Sequence, residues 1–210
     1  MHVELVDRLR CPNPHESAWL IAAAEVHEGR RIVHGTLGCH LCAAEFAVRE
    51  GVVWMADDAP VPRASSVTDD DTTRLAALLG LTERGAVILL QGAIGSYGVP
   101  LATLSGVRAI AIDPPATVAD SDQVGVVRVG GGRVPVSANA WSAVAVASSD
   151  AVAAAAVAVR AGGRLVAPAD APLPSEFTLL ARDARQWVAE RVAGASAPVT
   201  LRRAPRTDGR

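Results

Sequence analysis

Hydrophobic and polar positions follow two different patterns along the chain. In the first sixty residues the pattern alternates. Arg31-Ile32-Val33-His34-Gly35-Thr36-Leu37 predicts a strand running toward Cys39, and residues 45–49 and 52–55, around Glu50-Gly51, predict a hairpin with a glycine turn. Farther along, short continuous apolar runs at 86–90, 107–112, 124–129, 142–147 and 164–167 predict buried strands. Helix signals fall between them. Asp69-Asp70-Asp71-Thr72 caps a helix through 74–79 that Gly80 ends, and a second helix is expected over 149–160, stopped by Gly162-Gly163. Buried strands separated by helices imply a mainly parallel sheet covered on both faces. Residues 177–182 and 187–192 read as strands around Asp183-Ala184-Arg185-Gln186, pairing with 199–203 as an antiparallel edge; a long helix capped by Pro174-Ser175 is the alternative.

The two patterns meet at Ala56-Asp57-Asp58-Ala59-Pro60-Val61-Pro62-Arg63-Ala64-Ser65-Ser66, whose prolines and small residues read as a linker. The expected organisation is a β-rich domain at 1–58, a linker at 59–66, an α/β domain at 67–204 and a disordered tail at 205–210. A β-rich unit of about sixty residues buries little surface and needs a staple.

Composition narrows the chemistry. All 20 basic residues are arginine, which removes a Schiff-base or phosphate-loop lysine. The formal net charge of -2 gives no electrostatic case for nucleic-acid or membrane-surface binding, and the arginines of the tail, Arg202, Arg203, Arg206 and Arg210, are read as solvated. The start is mixed and charged, with no secretory pattern, and the apolar stretch 138–159 carries Asp150 near its middle, where a bilayer helix would lose about 3 kcal/mol. A cytoplasmic location is expected. Three cysteines, an odd number, argue for thiols or metal ligands over disulfides.

Those cysteines fall in two short loops, Cys11-Pro12-Asn13-Pro14-His15 and Cys39-His40-Leu41-Cys42. Two loops that each present two ligands are how a zinc ribbon builds tetrahedral coordination, with Cys11, His15, Cys39 and Cys42 as the ligand set. Four protein ligands leave no position for water, so the zinc would be structural. A redox pair of Cys39 and Cys42, or plain buried thiols, is the alternative. With Leu5-Val6-Asp7-Arg8-Leu9-Arg10-Cys11-Pro12, the Leu37-Gly38-Cys39 knuckle and the following hairpin, residues 3–55 resemble the tRNA-methyltransferase-activator zinc-ribbon family. That resemblance implies a protein partner, a methyltransferase among the candidates. The sequence departs from the family at the first knuckle, where the second cysteine position holds Pro14 and His15 sits one place on.

A second resemblance covers residues 69–203. Leu90-Gln91-Gly92-Ala93-Ile94-Gly95 followed by Ala111-Ile112-Asp113, Arg133-Val134-Pro135-Val136, and Ala161-Gly162-Gly163-Arg164-Leu165 resemble class I S-adenosylmethionine-dependent methyltransferases. The resemblance implies a Rossmann-like domain of methyltransferase type, with S-adenosylmethionine as candidate cofactor bound by Gly92, Gly95 and Asp113. Two departures weigh against catalysis. Gln91 stands where the family has an acid, and only residues 114–123 separate Asp113 from the next strand, too few for the usual covering helix. Without that helix one wall of the adenine slot is open, so the isolated chain is expected not to bind the cofactor unless another chain or the ribbon supplies the wall. No catalytic residue is assigned; Ser148, Ser149 and Asp150 are the polar groups near the fourth strand. The expected role is a non-catalytic interaction or regulatory subunit, working with a protein partner or a second copy of itself. The alternative is an active S-adenosylmethionine-dependent methyltransferase with a fused zinc-ribbon activator module.

Overall fold

The structure, a computed structural model, describes residues 1–192. The strand expected at 199–203 and the tail at 205–210 lie outside the described residues. The N-terminal part holds a short helix α1 (Val3–Val6), then strands β1 (Leu20–Glu28), β2 (Arg31–Cys39), β3 (Glu45–Arg49) and β4 (Val52–Trp54). There follow α2 (Asp69–Leu79), β5 (Val87–Gln91), a 3-10 turn (Gly92–Tyr97) running into α3 (Gly98–Ser105), and then β6 (Arg108–Ile112) and β7 (Val124–Arg128). After these come β8 (Trp141–Val146), a short 3-10 turn leading into α4 (Val152–Ala158), β9 (Val159–Pro168), β10 (Phe177–Arg182) and β11 (Gln186–Arg191).

All eleven strands among the described residues form one sheet, in the order β1-β2-β3-β4-β7-β6-β5-β8-β9-β11-β10. The centre is parallel: β7, β6, β5, β8 and β9 pair parallel in sequence. At one end β11 runs antiparallel between β9 and β10. At the other, the antiparallel ladder β1 to β4 joins the central sheet through parallel pairing of Val53 with Val127 and Trp54 with Arg128. The N-terminal hairpins are therefore hydrogen-bonded into the same sheet as the α/β part.

Different parts of the chain cover the two faces. On one, Leu75 and Leu79 of α2 and Leu101 of α3 pack on Ile88, Leu90, Ala109, Ala111 and Val166. Thr68 starts α2, its hydroxyl accepting from the Asp71 amide and donating to the Asp71 carboxylate, and Gly80 ends it in the left-handed conformation. On the other face α4 covers β8 and β9, but residues 113–123 and 129–140 contain no helix. There Met1, Leu5 and Leu9 pack on Leu89, Ile110, Ile112 and Val127 instead. Gly125 makes this docking fit: a Cβ at that position would lie 2.8 Å from Met1 Sδ and 2.9 Å from a Leu5 methyl. Asp120, with its side chain fully buried, accepts from the Met1 amino group and from Arg31, both at 2.8 Å, and ties the β6–β7 loop to the N-terminal ladder.

Helices α1 and α3 were not among the expected elements, and two further elements differ from the sequence reading in ways that bear on the sheet. The helix expected over 149–160 is shorter, because Val159 pairs with Trp141 and opens β9; Gly162 and Gly163 sit in an irregularity of that strand instead of ending the helix. A Cβ on Gly163 would stand 2.8 Å from the Trp141 carbonyl oxygen, so the close strand approach needs a glycine there. Strand β1 was not anticipated. Only its first residue is buried, so it shows no hydrophobic alternation. Among the described residues no helix is long and apolar enough to cross a membrane.

Candidate metal centre and strand-tip cavity

The four expected metal ligands come together. One donor atom from each of Cys11, His15, Cys39 and Cys42 lies within 4.8 Å of the others. Cys11 follows an isolated bridge between Arg10 and Trp19, and its amide donates to the Ala18 carbonyl, so the first loop leaves and re-enters the ladder at a fixed place. Cys39 ends β2; its amide donates to the Ala44 carbonyl, and Ala43 takes a left-handed backbone to close the turn that presents Cys42.

Two edges of the cluster test the fit to zinc. Cys11 Sγ and Cys42 Sγ are 3.8 Å apart, and Cys39 Sγ is 3.5 Å from His15 Nε2. Zinc bonds of about 2.3 Å to sulfur and about 2.05 Å to nitrogen at tetrahedral angles give edges of about 3.8 and 3.6 Å. The donor set fits. His15 Nδ1 lies 2.6 Å from the Glu16 carbonyl oxygen; donating there leaves Nε2 as the lone-pair nitrogen facing the thiols. That hydrogen bond is also the main reason the His15 pKa is raised. The thiols are split: burial pushes Cys11 up to about 11, whereas a hydrogen bond from the Asn13 amide brings Cys42 down to about 6. His40, between two of the ligands, is exposed and outside the cluster.

At the carboxyl ends of β5, β6 and β8 lies a cavity of about 630 Å³, lined by Gln91, Gly92, Asp113, Gly132, Ser148 and Asp150 among others. This is where open parallel sheets take ligands, beside the point at which the strand order reverses. Gly92, left-handed at φ 72°, opens the turn after β5; a Cβ there would stand 3.1 Å from the Ala147 methyl. Gln91 fastens the β5 and β8 tips, accepting from the Ala147 amide through both its backbone and its side-chain oxygen.

Asp113 also lines the cavity, at a left-handed φ of 46°, which aspartate tolerates better than most residues. Its carboxylate accepts from the Val129 amide at 2.7 Å and the Gly130 amide at 3.0 Å. Burial holds its pKa above the ordinary value despite those bonds and nearby Arg128 and Arg133. Each oxygen keeps a second lone pair for a ligand.

Of the residues expected to bind a cofactor, the structure brings Gly92 and Asp113 to one cavity and leaves Gly95 outside it. Gly95 lines a different cavity, with Ser65 and Val99, and is tightly packed there: its Cβ would be 2.6 Å from the Pro114 Cβ. Sequence reasoning missed two walls. One is Gly131 and Gly132, whose signal was the run Gly130-Gly131-Gly132, all left-handed. The other is Pro60-Val61-Pro62, which the sequence offers only as linker composition.

No protein-family model matches the chain, and no curated protein matches it. Solved structures similar to it include methyltransferases. Geranyl diphosphate C-methyltransferase from Streptomyces coelicolor A3(2), in complex with S-adenosyl-L-homocysteine, is 18% identical at a TM-score of 0.41 over 47% of this chain and 44% of that one. A SAM-dependent methyltransferase from Thiobacillus denitrificans, also with S-adenosyl-L-homocysteine, is 18% identical at 0.38 over 50% of each chain. An S-adenosyl-L-methionine-dependent methyltransferase candidate from Methanococcus maripaludis is 9% identical at 0.45 over 61% of this chain and 87% of that one. The first two matches span about half of their partners or less, and no score among the three reaches 0.5.

Proposed function

We propose that this protein is a non-catalytic regulatory or interaction subunit of methyltransferase type. Its N-terminal ribbon carries a structural zinc on Cys11, His15, Cys39 and Cys42, and its strand-tip cavity holds S-adenosylmethionine or the demethylated product. The observation that carries the reading is the charge of that cavity. Its lining includes Asp113 and Asp150 and neither arginine nor histidine. Such a lining disfavours the pyrophosphate of a dinucleotide and favours a ligand bearing a cationic sulfonium and an ammonium. The strand order from β7 to β10, with one antiparallel strand next to the edge, agrees with the methyltransferase resemblance of the sequence.

S-adenosylmethionine, when bound, supplies an electrophilic methyl group on a positively charged sulfur. The chain's own residues hold it. Gly92 lets the backbone approach, the carboxylates balance its charge, and Pro60-Val61-Pro62 limits water on the open side. What the cavity lacks is a prepared base. Gln91 and Asp113 are engaged by backbone amides, which leaves Ser148 and an exposed Asp150. The subunit's partner would be a methyltransferase or a second copy of this chain.

Calorimetric titration of the zinc-loaded chain with S-adenosylmethionine and S-adenosylhomocysteine tests this. Saturable binding is expected, tighter for the sulfonium, with no S-adenosylhomocysteine formed from S-adenosylmethionine by the chain alone. Absence of binding by either ligand sinks the reading. Turnover favours an active methyltransferase with its own activator module, a reading that the meeting of Gly92 and Asp113 in one cavity also supports.

A further inference from the structure

One side of the strand-tip cavity is walled by the segment between β4 and α2. Residues 59–68 form neither helix nor strand, and they cross from β4 to α2 over the cavity mouth. Only the inner side of this strap faces the cavity; Val61 is 56% exposed, so the strap has no buried apolar anchor at its middle. It is held at its ends. Met55 and Ala56 both donate to the Arg128 carbonyl, and Ala59 and Pro60 lie against Gly130 so closely that a Cβ there would be 3.4 Å from the Ala59 Cα. At the far end Thr68 caps α2.

Both chain paths from the metal cluster lead to walls of this cavity. From Cys39 and Cys42 the turn enters β3, Ala47 of β3 pairs with Trp54 of β4, and β4 delivers the strap. From Cys11 the preceding residue Arg10 donates to the Pro135 carbonyl, and Leu9 bridges Val136. That contact pins the loop whose earlier part, Gly131 and Gly132, forms the opposite wall. The cluster joins the two paths, with Cys11 Sγ 3.8 Å from Cys42 Sγ, and a bound metal would cross-link them.

We infer that Pro60-Val61-Pro62 is a binding wall of the nucleoside site and that the metal cluster fixes its position, so nucleoside affinity depends on metal loading. This rests on the reading of the cavity as a nucleoside site. Coupling between two ligands is reciprocal: if metal tightens nucleoside binding by some factor, nucleoside tightens metal binding by the same factor.

The test titrates S-adenosylmethionine calorimetrically into three full-length proteins: zinc-loaded wild type, chelator-stripped wild type, and a zinc-loaded Pro60→Gly/Pro62→Gly variant. The variant keeps all four metal ligands, so it reports on the strap even if the stripped ribbon unfolds. A second readout follows zinc release to a competing chelator, with and without saturating S-adenosylmethionine. The expected result is binding to zinc-loaded wild type, at least tenfold weaker binding to both other proteins, and zinc retention strengthened by the nucleoside. No binding to zinc-loaded wild type defeats the nucleoside reading itself. Binding by wild type with equal affinity in the strap variant overturns the wall. Equal affinity in the stripped protein, or zinc release indifferent to the nucleoside, overturns the coupling.

Discussion

The metal cluster and the strand-tip cavity are built in opposite ways. The cluster is made of side chains: four donors within 4.8 Å, each projected by a short loop whose backbone is pinned into the ladder. The cavity is made mostly of backbone and small residues, with Gly92, Gly131 and Gly132 as walls and one buried carboxylate turned onto amides. A side-chain site fails when one donor is lost. A backbone site fails when the chain segments that frame it move. The two should therefore respond differently to substitution.

The largest effect is expected at Cys39. It is buried at 3% exposure, whereas Cys42 is exposed, so Cys39→Ser removes one of the four proposed zinc donors and also places a hydroxyl in the core of the N-terminal ladder. Structural zinc contributes on the order of 10 kcal/mol to small metal-folded units. Cys39→Ser should lose zinc and melt the ribbon, read by elemental analysis and by loss of amide protection in β2 and β3. Cys42→Ser should lower zinc affinity while retaining more of the ladder. Equal behaviour of the two variants would show that burial does not separate their roles.

Next in size is Asp113→Ala. It leaves the Val129 and Gly130 amides without their acceptor and puts alanine at a left-handed φ. Hydrogen bonds to a charged group are worth about 1.5–3 kcal/mol each, and a loss of roughly 3 kcal/mol in unfolding free energy is expected with the zinc content unchanged. Loss of zinc alongside stability would mean that the cavity and the ribbon unfold as one unit.

How far each site could be read from the sequence follows from the same difference. Cys11, His15, Cys39 and Cys42 could be grouped in advance because a metal needs particular donors at short spacings, and spacing is visible in one dimension; the fold does bring the four together. Gly92 and Asp113 were visible as a strand-turn pattern, but Gly95 was indistinguishable from them until Pro114 was seen against it. The strap was illegible. Prolines in a polar stretch look alike whether they cross solvent or roof a cavity. Strand β1 escaped for a related reason: at the edge of the sheet its side chains face water on both sides, so nothing imposes a period of two. The end of α4 was misplaced because Gly162-Gly163 signals a stop equally well for a helix or for a bulged strand.

The glycines separate packing from ligand approach. Gly95→Ala drives a methyl to within 2.6 Å of the Pro114 Cβ, an overpacking worth about 1–3 kcal/mol, but Gly95 does not line the cavity. Its substitution should lower the denaturant midpoint and leave the S-adenosylmethionine dissociation constant within about twofold of wild type. Gly92→Ala, which meets the Ala147 methyl at 3.1 Å and does line the cavity, should cost about 1 kcal/mol of stability and weaken binding as well. Loss of affinity in Gly95→Ala in a fully folded protein would return that residue to the site.

The smallest expected effect is the pH dependence contributed by Asp113. Burial raises its pKa from the ordinary 3.8, outweighing the amide bonds and the positive field of Arg128 and Arg133. Above 3.8 the unfolded chain has largely released this proton while the folded chain still holds it. A folded state that binds more protons loses stability as pH rises, and the loss continues until the raised folded value is passed. Asp113→Asn has no proton to release there. The rest of the chain is common to both proteins, so the diagnostic quantity is the difference in unfolding free energy between wild type and variant, not either curve alone. That difference should shift against wild type as pH climbs from 3.8 and become flat once the carboxyl is ionised in the folded state. A shift in favour of wild type over the same range would mean that the Val129 and Gly130 amides outweigh burial, and that the carboxylate is held charged in the cavity wall.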